Sequence, residues 1–247
     1  MQLRVLGSSG TAPSADNPTS GYLLTAGSTA VLLDAGPGVA MALMGVMAPQ
    51  DLDAVFLSHR HPDHCSDFFA IFHHLAYGPG AGRDPLSVFS PRDTWVALEA
   101  FIEPPEGHRW HEVFDWREAS GRAQVGGLGL SFAASSHSVP VACVRVSAGD
   151  SSLTYSGDTG PGGGFPDLAQ GTGTLLCEAT YQDDTKSDYP FHLTARQSGV
   201  LAREAGAGRL IMTHLPPSLD PKVSIEEAAR EFEGETLVAT PGMVIQI

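Results

Sequence analysis

Directly after the apolar run Ala54-Val55-Phe56-Leu57, the chain reads Ser58-His59-Arg60-His61-Pro62-Asp63-His64. A chain with 10 His in 247 residues would show the pattern His-x-His-x-Asp-His by chance in roughly one case in a thousand. Imidazole nitrogen and carboxylate oxygen are the ligands that borderline cations such as zinc prefer. A turn leaving the end of a buried strand can aim alternate side chains into one cleft. Pro62 stiffens this turn and lowers the entropy lost when a cation is captured. The plainer reading, a solvated polar turn with incidental histidines, has the rarity of the pattern against it.

Four ligands from one loop do not complete a two-metal site, and three more candidates stand at the ends of later strands. His137 follows the strand expected over Leu128 to Ala134, Asp158 follows Leu153-Thr154-Tyr155, and His214 follows Leu210-Ile211-Met212-Thr213. Side chains where a strand hands over to a loop can converge on a common cleft. Taken singly, His137 or His214 reads equally as a satisfied buried histidine and Asp158 as an Asx-turn residue. Beside the first cluster, metal binding is the stronger reading.

These residues need a scaffold that brings strand ends together. Short β-rich runs at Leu3 to Leu6, Tyr22 to Thr25, Ala30 to Asp34 and Ala54 to Leu57 are separated by Gly, Pro, Ser and Asp clusters. A second strand-rich stretch runs from Leu128 through Val141 to Val146, Leu153 to Tyr155, Thr174 to Cys177, Leu210 to Met212 and Leu237 to Val238. Helices are expected at Val39 to Met47, Asp67 to Ala76, Arg92 to Phe101, Ala195 to Ala205 and Ser224 to Phe232. Ser224 and Glu227 are spaced as a capping box for the last of them. The alternation predicts an α/β or α+β fold. The two halves look alike in kind, and no boundary would let either fold alone, so residues 1–247 are expected to form a single domain. The Gly/Pro-rich pieces at Gly78 to Pro85 and Gly160 to Pro166 are short enough to be loops near a site.

Composition narrows the partners. With 14 Lys+Arg against 28 Asp+Glu the net charge is −14, and no basic run could track a phosphate backbone, which makes a long nucleic acid an unlikely partner. The run Ala35 to Pro49 is broken by Gly and Pro and falls short of the roughly 20 residues a membrane helix needs. No charged leader precedes an apolar stretch, and Cys65, Cys143 and Cys177 form no Cys-x-x-Cys pair. A cytoplasmic, reducing setting and no membrane partner are expected.

The ordered set His59, His61, Asp63, His64, His137, Asp158 and His214 resembles the metal ligands of the metallo-β-lactamase-fold hydrolases. The resemblance runs from Val5-Leu6-Gly7-Ser8 and Leu33-Asp34-Ala35-Gly36-Pro37-Gly38 to Thr213-His214. His192-Leu193-Thr194-Ala195-Arg196-Gln197 is similar to the His-Ser-Thr-Ala-x-Gln segment of the ribonuclease Z-like branch, and Cys177-Glu178-Ala179-Thr180 to its His-Glu-Ala-Thr segment. Brevity and motif order look closest to the atypical bacterial cyclic-nucleotide phosphodiesterases of this fold.

The resemblance implies a four-layer αββα sandwich with two divalent metal ions, zinc or manganese, at one edge between the sheets. His59, His61 and His137 would hold one ion, Asp63, His64 and His214 the other, and Asp158 would bridge them. Two such cations roughly 3.5–4 Å apart can share and deprotonate a water and stabilise charge on a phosphoryl oxygen. The resemblance also places Asp63, His192 and Glu178 as catalytic residues. His192 would protonate the leaving alkoxide and Glu178 would hold its other ring nitrogen. His192 has a plainer reading as a helix N-terminal residue. Asp34 reads either as the partner that orients a ligand histidine or as a simple turn residue. Cys177 stands where the family segment has a histidine, and a thiol cannot replace an imidazole in proton transfer. His73, His74, His108 and His111 fall outside the pattern.

The tRNA-gripping arm of ribonuclease Z lies between the ligands matching His137 and Asp158. Here 21 residues span that interval, enough for two strands and a turn. A small phosphodiester such as a cyclic nucleotide is therefore the expected substrate. The alternatives are a ribonuclease Z-like RNA endonuclease, a thioester or lactone hydrolase, and a non-catalytic protein stapled by its metals. Structural zinc sites are usually closed four-ligand cages, which disfavours the last. The family resemblance suggests a homodimer.

Overall fold

In the computed structural model, residues 1–102, 109–185 and 188–247 are described. The chain begins with three antiparallel strands, β1 (Gln2–Gly7), β2 (Gly21–Ala26) and β3 (Thr29–Leu33), and continues into three parallel ones, β4 (Ala54–Phe56), β5 (Leu86–Ser90) and β6 (Phe114–Glu118). The second sheet repeats the scheme with β7 (Arg122–Val125), β8 (Leu128–Ala134), β9 (Ala142–Ala148), β10 (Ser151–Tyr155), β11 (Thr174–Glu178), β12 (Arg209–Thr213) and β13 (Glu235–Val238). The last strand, β14 (Val244–Gln246), crosses back to pair antiparallel with β1, so the sheet orders are β14-β1-β2-β3-β4-β5-β6 and β13-β12-β11-β10-β9-β8-β7. Read from β14 in the first sheet and from β7 in the second, both sheets have three antiparallel pairings followed by three parallel ones.

Period-two alternation explains how two sheets build three cores. Successive strand side chains face opposite ways. On β12 Leu210 and Met212 face the outer helices while Ile211 faces the other sheet; on β3 Leu32 faces out while Val31 and Leu33 face in. The inner core joins Leu24, Leu33, Phe56 and Phe89 to Leu130, Phe132, Val144 and Leu176. The outer core of the first sheet packs α1 (Val39–Met44), α3 (Phe68–Tyr77), α4 (Arg92–Ile102) and α5 (Trp110–Val113), with the fully buried Trp110 against Phe68 and Phe72 of α3 and Trp95 of α4. A short helix, α2 (Pro62–Cys65), precedes α3. The outer core of the second sheet packs α6 (Phe165–Ala169), α7 (Ala195–Glu204) and α8 (Pro221–Ala229). The result is the expected α/β sandwich of four layers, helix, sheet, sheet, helix.

Several element boundaries differ from expectation. The first helix stops at Met44, and α6 begins inside the stretch read as the loop Gly160 to Pro166. Helix α8 begins at Pro221, not Ser224: Asp220 accepts from the Lys222 N–H at 2.9 Å and Pro221 fills the first helical position, the stronger start signal. Ser224 and Glu227 therefore form no capping box. Ser224 Oγ accepts from Gln182 Nε2 at 3.0 Å, and the Glu227 carboxylate accepts from the Asp183 N–H at 3.0 Å. The capping box lies instead at α7, where Thr194 Oγ1 accepts from the Gln197 N–H and Gln197 Oε1 accepts from the Thr194 N–H.

Candidate metal centre

The predicted residues meet where strand ends open at one edge of the sandwich. His59 follows β4 by way of Leu57 and Ser58; His61 precedes α2, which carries Asp63 and His64. His137 lies between β8 and β9, Asp158 follows β10, Glu178 ends β11, and His214 follows β12. His192 sits two residues before Thr194, the cap of α7. Thr11, Asp34 and His214 all take positive φ, at 64°, 58° and 60°. Such left-handed backbone persists where the surroundings enforce it. Gly10 packs against the turn at His214, where a Cβ would come within 2.2 Å of the His214 carbonyl oxygen.

The seven expected ligands form two groups that share Asp158. In one, His59, His61, His137 and Asp158 bring ligand atoms within 4.8 Å of one another; in the other, Asp63, His64, Asp158 and His214 do so. The Asp158 carboxylate divides between them. Its Oδ1 lies 3.1 Å from His64 Nε2 and 3.4 Å from His214 Nε2, and its Oδ2 lies 3.7 Å from His59 Nε2 and 4.0 Å from His137 Nε2. His61 presents Nδ1, 3.0 Å from His59 Nε2 and 3.2 Å from His137 Nε2.

The opposite ring nitrogens of four of the five ligand histidines are engaged. His64 Nδ1 donates to Asp34 Oδ2 at 2.8 Å, His59 Nδ1 to Ser58 Oγ at 3.0 Å, His137 Nδ1 to the Phe191 carbonyl at 2.9 Å, and His214 Nδ1 to Thr180 Oγ1 at 2.9 Å. Ser58 and Thr180 pass the interaction on, donating to Asp34 Oδ2 at 2.8 Å and to Glu178 Oε2 at 2.7 Å. Each contact fixes a ring orientation and turns Nε2 toward Asp158, the nitrogen through which imidazole, once it has given up any proton there, binds a cation.

The electrostatics favour a cation as well. Burial raises the cost of charging Asp158, but His214 and His64 outweigh it and hold the carboxyl well below the usual range. Burial opposes a second proton on His64, yet Asp158 and Asp34 push its pKa well above the ordinary value. His59 goes the other way, driven far down by burial and then by His64; burial also lowers His61 and His137. Asp63 stays ionised because the hydrogen bond from His214 offsets its burial. Two buried atoms, His64 Nε2 and Asp158 Oδ1, lack a hydrogen-bond partner. Buried polar atoms are normally satisfied, and a divalent cation between these donors would satisfy both.

His192 and Glu178 adjoin the second group. His192 Nδ1 donates to Glu178 Oε1 at 2.9 Å, and its ring stacks on His214 at 5.6 Å. Glu178, His192 and His214 form a third set of donors within 4.8 Å of one another. Burial opposes charge on His192, but the Glu178 hydrogen bond prevails and raises its pKa. Asp34 touches His64 as one of its two sequence readings expected, and Cys177 is fully buried in the outer core of the second sheet. His73, His74 and His111 lie elsewhere, with His74 on Gln50 and His111 on Glu99; His108 falls outside the described residues. The orienting roles of Ser58, Thr180 and the Phe191 carbonyl carried no signal in residue type or spacing.

A fold of two mixed sheets between helices, with His/Asp clusters at its strand ends, defines a metallo-hydrolase scaffold. The family profile described as a beta-lactamase superfamily domain matches residues 29–215, and the chain belongs to that family. Protein Rv1339 of Mycobacterium tuberculosis is 34% identical over 241 residues, 95% of this chain and 88% of its own length. The probable metallo-hydrolase YhfI of Bacillus subtilis is 28% identical over 246 residues, 99% of both chains. Its crystal structure superimposes with a TM-score of 0.87 at 26% identity, covering 99% of this chain and 98% of YhfI. A ribonuclease Z of Methanopyrus kandleri is 26% identical over 294 residues, 99% of this chain and 97% of its own.

Proposed function

We propose that this chain is a phosphodiesterase for small phosphodiesters such as cyclic nucleotides, working with two divalent cations, zinc or manganese. His59, His61 and His137 would hold one cation, Asp63, His64 and His214 the other, with Asp158 between them. The division of the Asp158 carboxylate between the two groups carries this reading. The cations, when bound, would supply activation of water and charge neutralisation at the phosphoryl oxygens.

The remaining work falls to the chain. Asp63, whose Oδ2 accepts from the Thr11 N–H at 3.1 Å, is an ionised carboxylate able to take the proton of the attacking water. His192, held protonated by Glu178, donates its Nε2 proton to the departing alkoxide oxygen. Thr180 and the Leu193 N–H fix the second oxygen of Glu178, at 2.7 and 3.2 Å, so the pair keeps one orientation.

Substrate size follows from the His137 to Asp158 interval. It is filled by the hairpin of β9 and β10, whose strands pair from Ser151 with Ala148 to Tyr155 with Val144. That leaves no protruding arm for a large RNA, and a net charge of −14 opposes a long polyanion. Protein loaded with zinc or manganese should turn over cyclic AMP and bis(p-nitrophenyl) phosphate well above a precursor tRNA, a thioester and a lactone. Preference for the tRNA, or for either non-phosphate ester, overturns the assignment.

A further inference from the structure

The ring of His192 forms part of the wall of a cavity of about 290 Å³, lined also by Pro161, Tyr181, Asp188, Tyr189 and Gln197. Since Nδ1 of His192 is committed to Glu178, a leaving oxygen is served from the other side of the ring. Whatever that oxygen carries must then lie beside His192. Tyr189, 42% exposed, stands 5.8 Å from His192 between ring centres, and Tyr181 stands 6.0 Å away, nearly perpendicular. Phe191 packs edge-on to Tyr189 at 5.1 Å and supports it from within the chain.

The polar atoms of this cavity restrict its occupant. Among the described residues no lysine or arginine lines the cavity, and the Asp188 carboxylate would repel a second phosphate. Gln197 spends its Oε1 on the Thr194 N–H, which leaves its Nε2 as a donor, while Asp188 supplies acceptors. A second cavity of about 320 Å³ shares Pro161 and Gln197 and continues over Leu193, Val200 and Leu201 to Glu204, so the groove is mostly apolar along α7. Aromatic and proline rings with one donor and one acceptor at the rim match a flat heterocycle with a mixed hydrogen-bonding edge.

We propose that the cavity between Pro161 and Tyr189 is a nucleobase subsite, with Tyr189 as its stacking platform. The assignment rests on the phosphodiesterase reading and deepens it, because a base attached to the sugar whose oxygen His192 protonates falls into this cavity. The subsite binds the base of substrate and product alike, so it can be read without turnover.

The test is calorimetric titration of AMP and of ribose 5-phosphate into metal-loaded protein. Wild type and Tyr189→Phe should bind AMP roughly tenfold or more tighter than ribose 5-phosphate, and Tyr189→Ala should bind the two alike, the loss one base–aromatic stack brings. Melting curves of the variants report on folding. Equal affinity for the two ligands in wild type, or an unchanged ratio in Tyr189→Ala, overturns the subsite. Cyclic AMP hydrolysis, measured in parallel, separates the two assignments. Retained AMP preference without turnover overturns the hydrolytic reading alone, and turnover without AMP preference overturns the subsite alone.

Discussion

His64 Nδ1 and Asp34 Oδ2 meet at 2.8 Å, both side chains wholly buried. The same carboxylate accepts from the Ser58 N–H at 2.6 Å, Ser58 Oγ at 2.8 Å and the Tyr155 hydroxyl at 2.7 Å. Four donors thus fix the one anion that aims His64 at Asp158. Asp34→Asn keeps the size of the group but removes its charge and half its acceptor capacity. Metal affinity should fall about 10- to 100-fold, the usual cost of losing a partner behind a ligand histidine. Competition with a chelator measures it, and unchanged affinity would show that the contact serves folding alone.

Asp158→Ala removes the carboxylate common to both ligand groups. Elemental analysis should find fewer than two ions per chain, and hydrolysis should be lost. A variant that keeps two ions and wild-type turnover would remove Asp158 from the bridging position.

For His192→Ala the expected effect depends on the leaving group. A ribose hydroxyl is a poor leaving group and needs a proton, whereas p-nitrophenolate needs little. Cyclic AMP hydrolysis should therefore slow far more than that of bis(p-nitrophenyl) phosphate. Equal slowing of both would take the acid role away from His192.

Gly199 lies in α7, where alanine would ordinarily be preferred by about 1 kcal/mol. A Cβ at this position, however, would come within 2.5 Å of the Ala228 carbonyl oxygen, where α7 packs on α8. Close packing should reverse the sign. Gly199→Ala is expected to lower the melting temperature, and a rise would mean that the two helices separate at little cost.

The thiols of Cys65, Cys143 and Cys177 are pushed up by burial to about 12. Thiolate is the reactive form, so iodoacetamide at pH 8 should leave the folded protein unlabelled for hours and label all three cysteines after denaturation. Rapid labelling of Cys177 in native protein would contradict its place in the outer core.

The ligands were legible in the sequence for two physical reasons. Four sit on one turn, where chain continuity keeps them near each other, and His137, Asp158 and His214 follow apolar runs that could only be strands. Asp34 was visible too, as a polar residue closing a buried strand. Ser58, Thr180 and the Phe191 carbonyl were not, because hydroxyls and carbonyls become hydrogen-bond partners only once distant segments meet. Among the strands, β6 reads Phe114-Asp115-Trp116-Arg117-Glu118 and is largely exposed at a sheet edge, so its charges mask the pattern. β7 and β14 are short and also stand at sheet edges. The spurious Ser224 start failed because Asp220-Pro221 supplies both a cap and a fixed φ four residues earlier.

The pairing of β14 with β1 makes completion of the first sheet wait for a strand made long after its partner. While the ribosome is still making residues 244–246, the outer edge of β1 offers unpaired N–H and C=O groups, the kind of edge that recruits other chains. Only when Gln246 aligns with Gln2 and Val244 with Arg4 does the first sheet gain its last neighbour. Deleting those few residues should therefore harm solubility out of proportion to their number, although none of them is among the candidate metal ligands.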